Sequence, residues 1–373
     1  MTKPTMPTPD DFRVAALYDP DADGAHDRLQ LLRWLADLGF TIDEMRSAVS
    51  NGALTSLASD RRLVPEPRLQ RADALSRSGL TPDAFDAYVT ALGLEPIGGS
   101  PPGEVGVTTA ELEALVAMDA LSEIFTRDEA LALVRVVGAA LSRIADAAVS
   151  VFLTDVESEH LTEGRGELEL AETVYDAVGL VDGLGNRLDP ILRRQMLQAA
   201  ERTRATAIDE TERFQYRYAI GFVDLVGYTS ISQHMTAREL AAFVGRFEAT
   251  AHDVVAAAGA RVAKLIGDEV MFVAVDAAAA VRAGRSLIAT FSATGGGVLP
   301  RGGMAYGSVV LRGGDYYGSV VNLASRLTEL AVPRELLVTE PLAEAAPGVP
   351  FERAGRRMVK GFDEPVVVRS LMG

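Results

Sequence analysis

Two aspartates in the second half of the chain have the residue type and the setting that metal-assisted chemistry requires. Asp224 ends the apolar run Y-R-Y-A-I-G-F-V-D-L, a pattern typical of a buried strand. Asp268 lies in the segment I-G-D-E, between two further strand-like runs. In a palm-type sheet, the turn of the central hairpin lies beside the end of the first strand. Two facing carboxylates would suit divalent metal ions that assist phosphoryl transfer.

Each aspartate taken alone also has an ordinary structural interpretation. An aspartate at a strand end often caps a following helix, and Gly-Asp is common in tight turns. The segment after Asp224 is predicted to turn into a helix start, where free N–H groups can cradle phosphates. The residues of this predicted phosphate cradle are Val226, Gly227, Tyr228 and Thr229.

Three segments together resemble the catalytic domain of class III adenylyl cyclases: F-V-D-L-V-G-Y-T, K-L-I-G-D-E and D-Y-Y-G-S-V-V-N-L-A-S-R. The resemblance begins near Tyr216 and includes the closing K-G-F-D-E-P-V. It implies that Asp224, Asp268 and the backbone carbonyl of Leu225 bind two Mg²⁺ or Mn²⁺ ions. It also implies that Lys264 and Asp315 recognise adenine, and that Asn322 and Arg326 stabilise the transition state.

The chemistry of these side chains agrees with the implied roles. Lys264 can donate to an adenine ring nitrogen while Asp315 accepts from the exocyclic amine. Guanylyl cyclases of this family use Glu and Cys at these positions, and this chain has no cysteine, so ATP is favoured over GTP. Arg326 lies one helical turn after Asn322, so both project from one face. The arginine would neutralise charge on the α-phosphate, and the asparagine would orient the ribose.

The implied reaction is attack of the ribose 3′-hydroxyl on the α-phosphate, which yields cyclic AMP and pyrophosphate. In this family each site lies between two subunits, with metal ligands from one and base-recognising residues from the other. Because one chain holds the full set, a homodimer with two equivalent sites is expected.

The elements that must position these residues alternate between strand and helix. A capping box from Thr236 to Glu239 opens a long helix after the first strand. The order β-α-β-β-α-β with a final hairpin predicts a ferredoxin-like palm. The preceding half reads as short helices, so an α+β protein with an all-helical N-terminal domain is expected. The predicted boundaries are a flexible N-terminus at 1–12, a regulatory domain at 13–190, a helical connector at 191–214 and a catalytic domain at 215–373.

The charge of the chain is unevenly distributed. The 373 residues carry a net charge of −16; residues 1–214 contain 20 basic and 37 acidic side chains, and the rest contain 16 and 15. The acidic half argues against a nucleic-acid partner, although residues 29–49 are reminiscent of winged-helix regulators. The sequence has neither a signal-peptide core nor an apolar run of membrane-spanning length, so a cytoplasmic protein is expected. The absence of cysteine excludes disulfides and thiolate chemistry.

The first half resembles the regulatory domain of mycobacterial-type soluble adenylyl cyclases that respond to pH, in the segments R-W-L-A-D-L-G-F-T-I-D-E-M and N-R-L-D-P-I-L-R-R-Q-M. The hypothesis is that it inhibits the catalytic domain at neutral pH and releases it on acidification through the connector. The connector contains none of the four histidines, His26, His160, His234 and His252, so carboxylates with raised pKa values are the alternative sensors. Residues 109–153 could enclose a small apolar ligand, but a dimer core is favoured.

Two rival functions are open at this stage. A catalytically silent domain of the same fold could bind nucleotide or only dimerise, although such domains usually lose one of the six residues. A diguanylate cyclase shares the palm and a Gly-Asp-Glu turn, but Asn322 and Arg326 speak against it.

Overall fold

The structure is a computed structural model that describes residues 6–65, 67–94, 106–152, 166–206, 215–293 and 298–372. The chain divides into two compact units, Met1–Pro190 and Ile191–Gly373. The division falls at the boundary predicted between the regulatory domain and the connector.

The described part of the first unit is helical, as expected. Its elements are α1 (Pro9–Val14), α2 (Ala25–Asp37), α3 (Ile42–Ser50), α4 (Leu57–Leu63), α5 (Arg71–Ser78), α6 (Pro82–Ala91), α7 (Thr109–Asp119), a 3₁₀ turn (Ala120–Glu123), α8 (Arg127–Phe152), α9 (Glu167–Gly179) and the start of α10 (Leu184–Thr206).

Side-chain caps explain where several of these helices begin. The Thr41 side chain accepts from the Glu44 amide and Glu44 bonds back, which is a complete capping box. At the start of α6 the Thr81 side chain accepts from the Ala84 amide, without a reciprocal side-chain bond. Gly79 ends α5 in the left-handed conformation, which glycine adopts without steric cost. The sequence therefore sets these boundaries locally.

Two expectations for the first half need correction. The N-terminus was expected to be flexible over residues 1–12, but α1 begins at Pro9 and Phe12 is fully buried in the core under α2 and α3. Burial of one aromatic ring anchors a helix too short to be stable alone. The connector helix also begins before 191: α10 starts at Leu184 and contains Pro190, which removes one backbone donor without ending the helix. Residues 207–214 of the predicted connector lie outside the described residues.

The second unit contains the predicted alternation of strands and helices. After the end of α10 come β1 (Gln215–Val226), α11 (Tyr228–Ser232), α12 (Ala237–Ala257), β2 (Arg261–Ile266), β3 (Glu269–Ala274), α13 (Ala277–Ala293), β4 (Leu299–Arg312), β5 (Asp315–Tyr317), α14 (Ser319–Leu330), β6 (Glu335–Thr339), α15 (Glu340–Ala345), β7 (Glu352–Arg357) and β8 (Val366–Met372).

One sheet organises this unit, with the strand order β2-β3-β1-β4-β6-β8-β7, and β5 pairs with β4. Strand β1 is antiparallel to both β3 and β4, so the first four strands have the ferredoxin-like arrangement predicted from the sequence. The α+β fold class is confirmed. The final hairpin, β7 with β8, is also present.

The two faces of the sheet carry different helices. Val223, Leu225 and Phe272 point into a core that α12 and α13 cover. Tyr218 and Phe222 point to the opposite face, where they cluster with Ala324 of α14. Because side chains alternate along a strand, Asp224 shares the α14 face with Phe222. This alternation decides which side of the sheet carries the candidate site.

At Gly303, helix α14 lies directly against the backbone of β4. A Cβ atom added at Gly303 would clash with the Thr328 amide nitrogen and the Ala324 carbonyl oxygen of α14. Thr328 is buried and its hydroxyl donates to the Phe222 and Ala324 carbonyls at 3.4 and 3.1 Å. The glycine therefore sets how close this helix comes to the sheet.

Within the described residues, no helix is both long enough and apolar enough to cross a membrane.

Candidate active site

The sheet register brings three charged residues into one row across β3, β1 and β4. Asp224 is the cross-strand partner of Glu269 on one side and of Arg301 on the other. Cross-strand partners point to the same face of a sheet, so the three side chains are neighbours. Arg301 donates from Nε and Nη2 to Oδ2 of Asp224 at 3.0 and 2.9 Å. Asp224 is therefore held in place by a charge-assisted pair.

Asp268 joins this row from the β2–β3 turn, where the sequence placed it. Gly267 adopts a φ of 63°, which lets a two-residue turn connect the strands. Burial raises the pKa of Asp268, and the negative charge and the hydrogen bond of Asp224 also raise it. The backbone hydrogen bond and the positive charge of Arg301 lower this pKa, but they do not offset the rise. The two predicted metal-binding aspartates thus lie within hydrogen-bonding reach of each other.

Glu269 is a member of this cluster that sequence reasoning missed. Burial, followed by the charges of Asp224, Asp268 and Glu329, raises its pKa to about 7. The sequence signal was its position next to Asp268, but the alternation that places it beside Asp224 requires the strand register. Arg301 was missed for the same reason, since nothing near it in sequence indicates a partner 77 residues earlier.

The donor set around Asp224 suits a hard divalent cation. Two carboxylates stand close together, and carboxylate repulsion of this kind is relieved when a cation binds. The Leu225 carbonyl can serve as a third donor because its cross-strand partner on β4 is Pro300, which has no N–H to offer it. On the other side the β1–β3 pairing stops at Asp224. The residues present therefore fit the metal site that the resemblance implies.

The predicted phosphate cradle follows directly after these ligands. Val226 ends β1, Gly227 has a φ of 95°, and α11 begins at Tyr228. The first amides of a helix have no intrahelical acceptor, so those of Tyr228 and Thr229 can serve an anion. The Tyr228 ring packs on Phe243, with 5.5 Å between ring centroids. The packing of this ring thus stabilises the turn.

The two predicted base-recognising residues are in direct contact. Lys264 Nζ lies 2.6 Å from Asp315 Oδ2, and Asp315 Oδ1 accepts the Tyr316 amide at 2.8 Å. Burial alone would raise the pKa of Asp315, but the bond and charge of Lys264 and the Tyr316 amide outweigh it, so the pKa is lowered. The ammonium has further N–H groups to offer a ligand. A donor and an acceptor are thus held side by side.

The two predicted transition-state residues lie on α14. Asn322 is exposed, and Arg326 is one turn further along the same helix. Arg326 Nη1 contacts Glu329 Oε1 at 2.5 Å, and the Glu329 carbonyl accepts from Arg301 Nη1 at 2.9 Å. The end of α14 is thereby tied to the arginine that holds Asp224. Within the described part of one chain, the Lys264–Asp315 ion pair is separate from the Arg301–Asp224 and Arg326–Glu329 ion pairs.

The histidines are not part of this arrangement. His26, His234 and His252 are exposed, and His160 lies outside the described residues. His234 Nδ1 lies 2.9 Å from the Ser230 carbonyl, one turn earlier in the chain.

Comparisons with known proteins identify relatives of both halves. A sequence profile of the adenylate cyclase regulatory domain matches residues 13–203. An uncharacterized protein of Mycobacterium tuberculosis is 33% identical over 97% of this chain and 93% of its own length. An adenylate cyclase of Streptomyces coelicolor is 34% identical over 77% and 72%, respectively. A pH-sensitive adenylate cyclase of Mycobacterium tuberculosis is 28% identical over 90% and 85%.

Proposed function

Because the chain belongs to the class III adenylate cyclases that carry an adenylate cyclase regulatory domain, we propose that it converts ATP to 3′,5′-cyclic AMP and pyrophosphate. The observation that carries this proposal is the cluster formed by Asp224, Asp268 and Arg301, together with the preformed Lys264–Asp315 pair. The same fold without catalysis would not need two partly buried carboxylates held against one another.

In this proposal the carboxylates of Asp224 and Asp268 and the Leu225 carbonyl hold two divalent ions, Mg²⁺ or Mn²⁺. When bound, such ions lower the pKa of an attacking hydroxyl and stabilise charge on the phosphates. Arg301 keeps Asp224 oriented before the ions arrive. The amides of Tyr228 and Thr229 receive phosphate oxygens at the start of α11.

The remaining residues select and align the nucleotide. Lys264 donates to an adenine ring nitrogen and Asp315 accepts from the exocyclic amine, an order of groups that guanine does not match. Asn322 orients the ribose. Arg326 breaks its contact with Glu329 and stabilises charge on the α-phosphate.

We further propose that two chains form a homodimer with shared sites. On α8, the side chains of Leu141, Ile144 and Val151 are exposed in the single chain and recur at heptad spacing with Ala148. Such an exposed apolar seam favours self-association of the first unit. This supports the dimer core that the sequence analysis favoured in this region over a cavity for an apolar ligand. The enzyme is proposed to work in the cytoplasm.

The activity is tested with the purified full-length protein, ATP, and Mg²⁺ or Mn²⁺. Cyclic AMP should form, and Asp224→Asn should abolish it while the protein stays folded. Absence of cyclic AMP from the unaltered protein with either metal at any pH tested would refute the proposal.

Shared sites are tested by complementation. Asp224→Asn and Asn322→Ala should each be inactive, yet their mixed dimer contains one intact site if the two residues come from different subunits. Random mixing should then restore about a quarter of the unaltered activity, since half the dimers are mixed and each has one working site of two. No recovery after verified mixing would place both residues on the same subunit's side.

Regulation by the first unit is a further element of the proposal. The regulatory-domain match and the pH-sensitive relative favour inhibition by the first unit at neutral pH and release on acidification. Full-length protein and a chain starting at Ile191, the first residue of the second unit, should then differ in activity at pH 8 and converge towards pH 5.5. Equal activity across this range would contradict both autoinhibition and pH sensing.

A further inference from the structure

A second contact joins the two segments that carry the base-recognising pair. Arg261 precedes Lys264 by three residues on β2, and Tyr316 follows Asp315 in β5. Arg261 Nη2 donates to the Tyr316 hydroxyl at 2.6 Å, the same length as the Lys264–Asp315 contact. The two segments are therefore linked twice.

An irregularity in β2 makes this double link achievable. Residues three apart on a regular strand point to opposite faces. The β2–β3 register shifts between Val262 and Lys264, so that Arg261 is opposite Val273 and Lys264 is opposite Met271. Val273 and Met271 lie two apart on the same face of β3. The bulge thus turns both basic side chains towards β5.

Tyr316 is the anchor of a strand that has few other restraints. Strand β5 contains three residues and pairs with β4 alone, through a turn in which Gly313 and Gly314 both have positive φ. The Tyr316 side chain is buried and its ring packs edge-on against Tyr218 of β1, with centroids 5.2 Å apart. Tyr317, the next residue, is 53% exposed.

The anchor acts directly on the base-recognising carboxylate. The Tyr316 amide donates to Asp315 Oδ1, so a shift of Tyr316 moves the acceptor that would face adenine. Arg261 is also buried at Nε without a hydrogen-bond partner in the described chain. Two apolar side chains would pack there without leaving a donor unsatisfied, so packing alone does not account for this pair.

We infer that Tyr316 and Arg261 are positioning residues for base selection: their contact fixes Asp315 and Lys264 at the separation that matches adenine. This inference rests on the proposed adenine recognition. It assigns no chemical step to either residue. Loss of the contact should weaken ATP binding and reduce discrimination against GTP, while turnover of bound ATP should change little.

The test uses the full-length protein with Tyr316→Phe, and Tyr317→Phe as the matched control. Tyr316→Phe removes only the hydroxyl. We expect the KM for ATP to rise and the ratio of kcat/KM for ATP over GTP to fall by about tenfold, the size of one charge-assisted hydrogen bond, with kcat for ATP within about twofold. Tyr317→Phe should match the unaltered enzyme in all three quantities.

A second variant separates positioning from general damage. Arg261→Met breaks the same contact from the other side, so it should produce the same loss of selectivity, and the double variant should lose no more than either single variant. Unfolding midpoints and dimer content establish that each variant is folded. Additive losses, unchanged selectivity in folded variants, or equal falls in kcat for both nucleotides would overturn the inference. If the unaltered enzyme makes no cyclic AMP, the proposed function itself fails instead.

Discussion

Replacement of Glu269 by glutamine should stabilise the second unit at high pH and leave it unchanged at low pH. Its pKa is raised from 4.5 to about 7 in the folded protein, by burial and by the neighbouring carboxylates. A carboxyl with a raised folded pKa opposes folding when ionised. The destabilisation caused by ionised Glu269 is absent below about pH 4.5, grows as the pH rises towards 7, and is complete above pH 7.

The size of the effect follows from the shift. A change of this size corresponds to about 3 kcal/mol, and the partial exposure of the side chain reduces it to about 1–2 kcal/mol. With a urea dependence of about 2 kcal/mol per molar, Glu269→Gln should raise the unfolding midpoint at pH 8 by about 0.5–1 M.

The assay is urea unfolding of the full-length protein in EDTA, followed by circular dichroism and by tryptophan fluorescence. Trp34 is the chain's one tryptophan and lies in the first unit, so fluorescence identifies that unit's transition. Only the other transition should move in Glu269→Gln. A shift of equal size at pH 5 and pH 8, or a shift of the Trp34 transition, would refute the electrostatic reasoning.

Glu340 supplies a control of opposite sign. Its hydrogen bonds with Arg369 lower its pKa, so its ionised form supports folding, and that support is lost as the pH falls through the folded pKa. Glu340→Gln should therefore lower the same midpoint at pH 8. A gain in stability for both variants would indicate that removing any negative charge from this acidic chain suffices.

Three further predictions concern the site. Gly303→Ala should displace α14 and abolish cyclase activity in a destabilised protein, whereas Gly348→Ala, whose added Cβ meets nothing within 4 Å, should leave activity and unfolding unchanged. Arg326→Met should lower kcat by about 10²–10³-fold with ATP binding retained, as measured by calorimetry and initial rates, because its charge serves the transition state. Addition of Mg²⁺ at about 100 times its dissociation constant to the EDTA-treated protein should stabilise the second unit by about 2.7 kcal/mol, and Asp268→Asn should remove most of this gain in the unfolding assay.

The sequence was informative wherever the determinants are local. Thr236 and Glu239 define the start of α12, Gly267 and Asp268 define the β2–β3 turn, and both features appear where predicted. Strand order could be inferred because the β-α-β-β-α-β pattern permits few topologies.

Features that depend on register or on distant packing were not accessible from the sequence. Arg301 and Glu269 meet Asp224 only after three strands align. The bulge that brings Arg261 to Tyr316 breaks the period-two rule on which strand assignments rest. Phe12 lies in a short polar segment, so its burial depends on partners elsewhere in the first unit.

The close approach of α14 to β4 at Gly303 also limits how such an enzyme can be controlled. Where the helix touches the backbone of the sheet, at Gly303, no side chain intervenes whose rotamer could change to let the helix slide. Asn322 and Arg326 are thus fixed relative to Asp224 and Asp268 of their own chain. An inhibitory signal must instead act on looser degrees of freedom, such as the alignment of two subunits or the three-residue strand β5. Control would then tune nucleotide capture and leave the catalytic geometry rigid.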